Sequence, residues 1–259
     1  MTEFYDAKIA DMLTDAKGYR KLNGLKRLHV IACRLLWREI CYFAALSPHS
    51  FTFDFLEQKL HNVPENLHMT LQGAIDRAPD DADAVLLGYG LCSNAVVGIT
   101  SAKKILVLPR AHDCITFLLG SKERYREYFD AHPGTYWYSP GWIDQSIQPG
   151  KERFEALRKA YAERYGEENA AYLMEMEQGW MAKYNNAAYV DLNFGDTDAY
   201  REYTKTCAEW LHWRSEMLAG DPVLLRNLMN GKWDDAAFLV VEPGKKIAAS
   251  NDDMVVKAE

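Results

Sequence analysis

Short apolar runs separated by amphipathic stretches dominate the first half of the chain. Nearly continuous apolar segments lie at residues 28–32, 84–90 and 104–110, and residues 51–56 alternate aromatic and polar positions. Apolar runs of this length are typical of buried strands, whereas the alternating segment predicts a strand with one wetter face. The stretches between them mix aliphatic and charged residues at helical spacing, which predicts helices.

Local signals mark where several of these helices begin and end. The predicted helices span residues 34–46, about 64–78 and 115–129. The first is stopped by Ser47-Pro48. Pro64 opens the second, because proline is well tolerated in the first turn of a helix. Asp113 is placed to cap the third, since a carboxylate can accept the free N–H groups of the first turn.

This alternation of strands and helices predicts an α/β fold. We expect a doubly wound, mostly parallel, flavodoxin-like or Rossmann-like sheet with helices on both faces, because parallel crossovers are nearly always right-handed. In the flavodoxin-like strand order 2-1-3-4-5, strands one, three and four are neighbours about 4.8 Å apart. Ligand sites in such sheets form at the carboxyl ends of the strands.

The second half of the chain is predicted to be helical and rich in aromatic residues. Residues 132–142 contain two breaks with glycine and proline around four aromatic rings, which predicts a loop or a lid. The elements expected after it are a helical region at 151–184, a strand at 187–192, a helix at 197–218, a short helix after Asp221-Pro222 and a strand at 236–241.

Three segments describe the expected domain organisation. Residues 1–24 carry Phe4, Ile9 and Met12 at roughly helical spacing among charges, which predicts an amphipathic helix. Residues 25–249 are expected to form a single α/β domain, because 259 residues with 48% hydrophobic content suffice for one good core. Residues 250–259 are expected to be a flexible tail.

Charge and hydropathy exclude some classes of partner. The net charge of -7 and the lack of a basic run argue against nucleic acid binding. Apolar stretches are shorter than the ~20 residues of a membrane-spanning helix. The N-terminus has acidic residues where a signal peptide is basic. We therefore expect a cytoplasmic protein that binds neither nucleic acid nor membranes.

Three of the five cysteines follow predicted strands, and they are the main candidates for chemistry. Cys33, Cys92 and Cys114 come at or just after the ends of the first, third and fourth strands. In a reducing compartment such cysteines are metal ligands or reactive thiols more often than disulfides. Any one of them can also be a buried filler residue, and for Cys41 and Cys207 that interpretation is favoured.

The residues around these cysteines suggest how a site would work. Cys92 and Cys114 are expected where a strand passes into a helix, which would lower the thiol pKa. His112 is two positions from Cys114, so both side chains can face one point if the backbone is extended. The candidate catalytic residues are His112, Arg110, which adds positive potential, and Glu39, which would act as a nearby base. The candidate cofactor-binding residues are Gly88, Tyr89, Gly90 and Asn94.

Four short blocks, GYGLCSN, PRAHDCI, LGSKERY and YSPGW, carry a family resemblance. In order and spacing they resemble the recurring blocks of the domain-of-unknown-function family 1638, which is found in anaerobic bacteria and archaea. The likeness runs from about residue 28 to residue 241. It implies no established activity, but it implies a gene often located near corrinoid-dependent methyltransferases.

These observations lead to a metal-site hypothesis with open alternatives. Cys33, Cys92 and Cys114 would hold a [4Fe-4S] cluster with one iron open to substrate, and His112 would act beside it. Alternatively, a Cys/His set would hold zinc that activates a thiol or accepts a methyl group. The reaction would then be that of a metal-dependent oxidoreductase or a methyl- or sulfur-transfer enzyme. The expected partners are a small, anionic substrate and a corrinoid or methyltransferase protein.

Two metal-free alternatives also remain open. The protein would be an accessory or binding protein of a methyltransferase system, with its cysteines buried. Otherwise it would be a thiol enzyme that uses Cys92 or Cys114 together with His112.

Overall fold

Strands and helices alternate along residues 23–259, which are the residues that this computed structural model describes. The strands are β1 (Arg27–Cys33), β2 (Ser50–Leu56), β3 (Ala84–Gly88), β4 (Ile105–Pro109), β5 (Thr135–Tyr138), β6 (Asn186–Asp191), β7 (Arg214–Ala219), β8 (Phe238–Val241), β9 (Ile247–Ala249) and β10 (Val256–Ala258). The α-helices are α1 (Trp37–Leu46), α2 (Pro64–Asp76), α3 (Cys114–Leu119), α4 (Lys122–Ala131), α5 (Pro140–Gln145), α6 (Lys151–Tyr165), α7 (Glu167–Gln178), α8 (Asp198–Leu211) and α9 (Val223–Met229). Short 3-10 helices occupy Arg34–Leu36, Gln58–Asn62 and Met181–Lys183.

The larger sheet has the strand order β2-β1-β3-β4-β8. Its first four strands are parallel, and β8 pairs with β4 in the antiparallel direction. The doubly wound, mostly parallel α/β fold is therefore confirmed, as is the flavodoxin-like order of its first four strands. The antiparallel direction of the last strand was not anticipated.

Both faces of this sheet are covered by helices. On one face, Leu28, Val30 and Ala32 of β1 pack into a core shared with α1, α3 and α9. On the other face, Ile31 and Cys33 pack into a core shared with α2. Because successive side chains of a strand point to opposite faces, the continuous apolar run of β1 serves both cores at once.

A second sheet, with the parallel order β5-β6-β7, was not predicted. The prediction of a loop at 132–142 is wrong, because this segment contains β5 and α5, and Thr135 and Tyr138 are buried. The helix predicted to reach residue 218 ends at Leu211, where His212 adopts φ 57, and β7 follows. Glycines at positive φ also divide the two long helical predictions, at Gly120 and Gly166.

The structure describes the C-terminal end of the chain, and at the N-terminal end it begins with residue 23. An amphipathic helix was predicted at residues 1–24. Residues 1–22 of that segment lie outside the part of the chain that the structure describes. Residues 250–259, expected to be a flexible tail, contain β10, which pairs with β9, and Val256 is fully buried. The reason is that Val255 and Val256 complete the core on the α2 face of the larger sheet. Across the described part of the chain, the helices are too short or too polar to cross a membrane.

The carboxyl ends of the two sheets face each other. Segments that follow β1 contact segments that follow β5 and β6: Arg38 forms an ion pair with Asp144, and the Tyr42 ring stacks on Phe194 with centroids 4.1 Å apart. A side chain at Gly141 would collide with the carbonyl oxygen of Leu35, so the backbones approach closely there. Ligand sites of α/β proteins form at such strand ends.

Candidate functional site

Three neighbouring strands deliver three cysteines to the carboxyl edge of the larger sheet. Cys33 is the last residue of β1, Cys92 follows β3, and Cys114 follows β4, which are adjacent strands in the order β1-β3-β4. Their sulfur atoms are close enough to act on one another electrostatically: in addition to the larger effects of burial and of Asp113, Cys33 raises the pKa of Cys92, and Cys33 and Cys92 both raise that of Cys114. We call these three residues the thiol cluster.

Backbone hydrogen bonds hold the loops after β3 and β4 side by side. The N–H of Leu91 donates to the carbonyl oxygen of Ala111 at 2.8 Å, and the N–H of Cys92 donates to that of His112 at 2.9 Å. A Cβ atom at Gly90 would lie 2.7 Å from the oxygen of Ala111, so a larger residue would push the loops apart. This close approach brings Cys92 beside the loop that leads to Cys114.

Gly88, the last residue of β3, has a packing role comparable to that of Gly90. A Cβ atom at this position would lie 2.5 Å from the Cβ atom of Ala32 in β1. The structure thus accounts for Gly88 and Gly90 through close contacts between strands and loops. Their predicted role in cofactor binding stays a prediction.

Cys92 begins a left-handed turn. Cys92, Ser93 and Asn94 have φ angles of 46, 55 and 67° in succession. The left-handed region costs residues with a side chain about 1–2 kcal/mol each. The expectation that Cys92 starts a helix is therefore wrong, and a helix dipole does not act on its thiol. Such strain is found at functional sites, where the surrounding structure holds it in place.

Asp113 caps α3, as predicted. Its carboxylate accepts hydrogen bonds from the N–H groups of Ile115 at 3.0 Å and Thr116 at 3.3 Å, and from the hydroxyl of Tyr125 at 2.8 Å. After burial, this carboxylate is the largest cause of the raised pKa of both Cys92 and Cys114. The cap therefore also disfavours thiolates in the thiol cluster.

Burial is the main influence on all three thiols. It raises the pKa of Cys33 to about 11 and that of Cys92 to about 12, and it raises the pKa of Cys114 well above its ordinary value. Cys33 is buried, whereas Cys92 and Cys114 are partly exposed as residues. The expected lowering of the pKa is wrong for the metal-free thiols, which are neutral at pH 7.

The hydroxyl of Tyr89 faces the thiol cluster. Tyr89 is 1% exposed, and its hydroxyl oxygen finds no hydrogen-bond partner among the described residues. Burial raises the pKa of this phenol, and Cys33, Cys92 and Cys114 raise it further, which places the phenol near all three sulfurs. A buried hydroxyl without a partner costs about 1–3 kcal/mol. The three thiols and this unpartnered hydroxyl fit a bound group whose sulfur or oxygen atoms would accept a hydrogen bond from Tyr89.

The predicted catalytic residues lie in three different places. His112 is exposed, and its ring centroid lies 6.3 Å from that of Tyr125, at the edge of the thiol cluster. Glu39 is buried on α1, and its electrostatic neighbours are Arg38, Asp144 and Asp191, not the cysteines. The structure thus separates Glu39 from the thiol cluster.

Arg110 points to the C-terminal segment. Its guanidinium donates to the Oδ1 atom of Asp235 at 2.8 Å, to the carbonyl oxygen of Asp235 at 2.7 Å and to those of Met254 and Val256. This buried side chain therefore fastens β10 to the larger sheet. Nothing in its contacts connects it with an anionic substrate.

One of the two predicted fillers keeps that role, and two further residues enter the site. Cys207 is buried in the core of the second sheet, whereas Cys41 is only partly buried, so its role as a filler stays a prediction. Sequence reasoning missed Tyr125, whose hydroxyl binds Asp113, and His61, whose ring lies 6.0 Å from the Tyr89 ring. No local signal marks either residue, because each reaches the site through the packing of a separate element.

The donor geometry and the family relationship complete the description. Within residues 23–259, no group of three or more His, Cys, Asp or Glu side chains is arranged so that it could hold a single metal ion. The fit of the thiol cluster to a bound group therefore rests on the identity of its three donors and on the unpartnered Tyr89 hydroxyl. The family model DUF1638, described as a protein of unknown function, matches residues 55–229, which is more than half of the chain. The chain belongs to the DUF1638 family.

The DUF1638 match includes two of the three cysteines. Cys92 and Cys114 lie within the matched residues, whereas Cys33 precedes them. Comparison with curated proteins and with solved structures finds no match. The arguments for function therefore rest on the chemistry of the residues themselves.

Proposed function

We propose that this DUF1638 protein is a metal-binding protein, and an enzyme of anaerobic metabolism, with a [4Fe-4S] cluster held by Cys33, Cys92 and Cys114. The observation that carries the proposal is the arrangement of the thiol cluster. Three thiols from three adjacent strand ends lie within electrostatic reach of one another and of the unpartnered Tyr89 hydroxyl. Three sulfurs on three strands span a cube more easily than a single small tetrahedron.

Each residue has a definite role in this proposal. The cysteines would hold the cluster as thiolates and would release their protons on binding it, since burial keeps them neutral otherwise. A cluster held by three protein ligands would supply an iron that is open to substrate. His112, exposed at the edge of the thiol cluster, donates or accepts a proton. Tyr89 donates a hydrogen bond toward the bound group.

The remaining parts of the proposal concern substrate, partner and location. The substrate is a small molecule. The main argument for an anionic substrate was the positive charge of Arg110, and this argument is weakened because Arg110 forms an ion pair with Asp235. The link to corrinoid-dependent methyl transfer, through a corrinoid or methyltransferase protein, rests on the family resemblance. A cytoplasmic location agrees with the five free cysteines.

The test is metal analysis after anaerobic purification, together with the absorption spectrum. We expect about four iron and four sulfide ions per chain, with the broad visible absorption of an iron-sulfur cluster. Cys92→Ser and Cys114→Ser should each lose most of the iron. Cys207→Ser is the matched control, because Cys207 is also buried but lies in the core of the second sheet, and it should keep the iron.

Other outcomes would redirect the proposal. Zinc in place of iron, lost also in His112→Ala, would favour a Cys3His zinc site. Equal metal content in all the cysteine variants would contradict a metal site at the thiol cluster.

A metal-free accessory protein is the second candidate, and the thiol pKa values favour it. Burial raises the pKa of all three thiols, as it does for inert structural cysteines. In that case the purified protein contains no stoichiometric metal. Serine substitutions would then change stability alone, and pull-down with a methyltransferase component would be the relevant measurement.

A further inference from the structure

The turn that carries Cys92 has little support on its outer side. Residues 92–94, here called the Cys92 turn, adopt three left-handed conformations in succession, and Ser93 and Asn94 are exposed. These two residues line an open groove of about 450 Å³, which is lined on its other side by the beginning of α2. Because strained backbone persists only where its surroundings hold it, contacts at the two ends of the turn must maintain this conformation.

The loop after β4 holds the entry of the Cys92 turn, and α2 holds its exit. At the entry, the N–H groups of Leu91 and Cys92 donate to carbonyl oxygens of that loop. At the exit, the Nδ1 atom of His68 lies 3.0 Å from the carbonyl oxygen of Ala95. A carbonyl oxygen can only accept, so Nδ1 carries the hydrogen and donates it. Among the side chains that the structure describes, only that of His68 forms a hydrogen bond with the backbone of residues 92–97.

Helix α2 binds the same loop a second time, one helical turn further along. The Oε1 atom of Gln72 accepts a hydrogen bond from the N–H of Thr100 at 3.1 Å, and its Nε2 atom donates to the Thr100 carbonyl oxygen at 3.0 Å. This end of the loop is also bound to β9, because the N–H of Gly98 donates to the carbonyl oxygen of Ile247 at 2.7 Å. Loss of the Gln72 contacts would therefore leave the far end of the loop in place.

The contact of His68 has no comparable support from a second element. Ala95 is 2% exposed and packs with Leu67 and Leu71 of α2 in the core on this face of the sheet. Without the N–H donor of His68, the carbonyl oxygen of Ala95 would be enclosed without a partner. That cost favours conformations in which Ala95 moves toward solvent, and the Cys92 turn moves with it.

We propose that His68 is a positioning residue of the thiol cluster. Its Nδ1–H group holds the Cys92 turn in the conformation that keeps the sulfur of Cys92 beside those of Cys33 and Cys114. In this role His68 acts through Ala95 and has no need to touch a bound group. Its importance for a bound cluster rests on the proposed function, whereas its effect on the position of Cys92 does not.

The first measurement is the rate at which iodoacetamide alkylates each cysteine of the metal-free, full-length protein, followed by mass spectrometry. Cys92 of the wild type should react slowly, because burial raises its pKa to about 12. In His68→Leu we expect Cys92 to react about tenfold faster, since the freed turn brings the thiol into solvent, where it ionises more easily. The rate at Cys207, in the core of the second sheet, should not change.

Two further variants make this measurement specific. Gln72→Leu is the matched control, because it also removes a contact between α2 and the same loop, and it should leave the rate at Cys92 unchanged. His68→Asn should restore the wild-type rate, because its amide nitrogen is as many bonds from the backbone as Nδ1 and also donates.

The second measurement is the iron content of the same variants after anaerobic purification. His68→Leu should lose most of the iron that the wild type holds, whereas Gln72→Leu and His68→Asn should keep it. A wild type without iron would contradict the proposed cluster, and the alkylation rates would then decide the role of His68 by themselves.

Two results would overturn the role of His68. One is an unchanged rate of alkylation at Cys92 in His68→Leu. The other is an equal acceleration in Gln72→Leu, which would mean that the whole loop loosens. If His68→Leu does not fold, His68→Ala takes its place, because alanine also lacks a donor and has the best helix propensity, and the same two results apply.

Discussion

The hydroxyl of Tyr89 and the carboxyl of Glu39 are both enclosed by the fold without a complete set of partners in the described part of the chain. A fold could avoid the cost by placing phenylalanine and leucine at these positions. Groups kept under such conditions are found where a ligand or a bound group completes them. The Tyr89 hydroxyl lies at the thiol cluster, and the Glu39 carboxyl lies on α1.

Tyr89→Phe tests the first of these positions. In the metal-free protein, this change removes an unpartnered hydroxyl, so we expect it to raise the free energy of unfolding by about 1 kcal/mol or leave it unchanged. If the proposed cluster is bound, the same change should lower its reduction potential, because a hydrogen bond to a cluster stabilises its reduced form. Urea unfolding and protein-film voltammetry measure the two effects.

Tyr138→Phe is the control for this substitution. Tyr138 is also fully buried, but its hydroxyl donates to the carbonyl oxygen of Pro149 at 3.0 Å. Its loss should destabilise the protein by about 1–3 kcal/mol, since the carbonyl loses its partner. A Tyr89→Phe variant that is destabilised as strongly as Tyr138→Phe would show that the Tyr89 hydroxyl has a partner in the metal-free protein.

At the scale of elements, the left-handed turn after β3 makes a prediction about stability. Ser93 is exposed at φ 55, so glycine should relieve strain there without loss of packing. The gain from the backbone exceeds the entropy cost of glycine, and Ser93→Gly should raise the free energy of unfolding by about 0.5–1 kcal/mol. Urea unfolding measures the change.

Gly98→Ala, a few residues along the same loop, should act in the opposite direction. Gly98 has φ +87, and an added Cβ atom would meet the His68 ring at an ordinary 3.6 Å, so only the backbone conformation opposes the change. We expect a loss of about 1 kcal/mol. If Ser93→Gly were as destabilising as Gly98→Ala, the left-handed turn at Ser93 would be contradicted.

The strands of the larger sheet could be predicted from the sequence, and those of the second sheet mostly could not. Strands β1, β3 and β4 are buried on both faces, so they appear as apolar runs that few other structures produce. Strand β7 is largely exposed, and its residues continue the amphipathic pattern of α8. Periodicity alone does not separate such a strand from the end of a helix.

The candidate site shows the same division between local and distant information. The strand order predicts that three cysteines lie near one another, because each comes at or shortly after the end of its strand. These are Cys33, Cys92 and Cys114. The role of Arg110 could not be predicted, because its partners Asp235, Met254 and Val256 are more than 120 residues away in sequence. The left-handed turn at Cys92 likewise depends on contacts with the next loop, which no local pattern records.

For the whole molecule, the two facing sheets separate two kinds of chemistry. The thiol cluster lies at the end of the larger sheet, where burial keeps the thiols neutral. Glu39 lies on α1 beside the larger sheet, and the carboxylates that act on it electrostatically, Asp144 and Asp191, belong to α5 and β6. The ionisation of Glu39 is therefore coupled to charges on segments of the second sheet.

Glu39 should make the stability of the whole protein depend on pH. Because its pKa rises from an ordinary 4.5 to about 7 on folding, the folded state holds a proton that the unfolded state releases. This proton stabilises the folded protein below pH 4.5, and the contribution is lost as the pH rises through 7, a change of about 3 kcal/mol. Glu39→Gln should remove this part of the pH dependence and be more stable than the wild type at pH 8. Urea unfolding between pH 4.5 and pH 8, with the exposed Glu202→Gln as control, measures the difference; parallel curves for wild type and Glu39→Gln would mean that the Glu39 carboxyl is ionised in the folded protein at low pH.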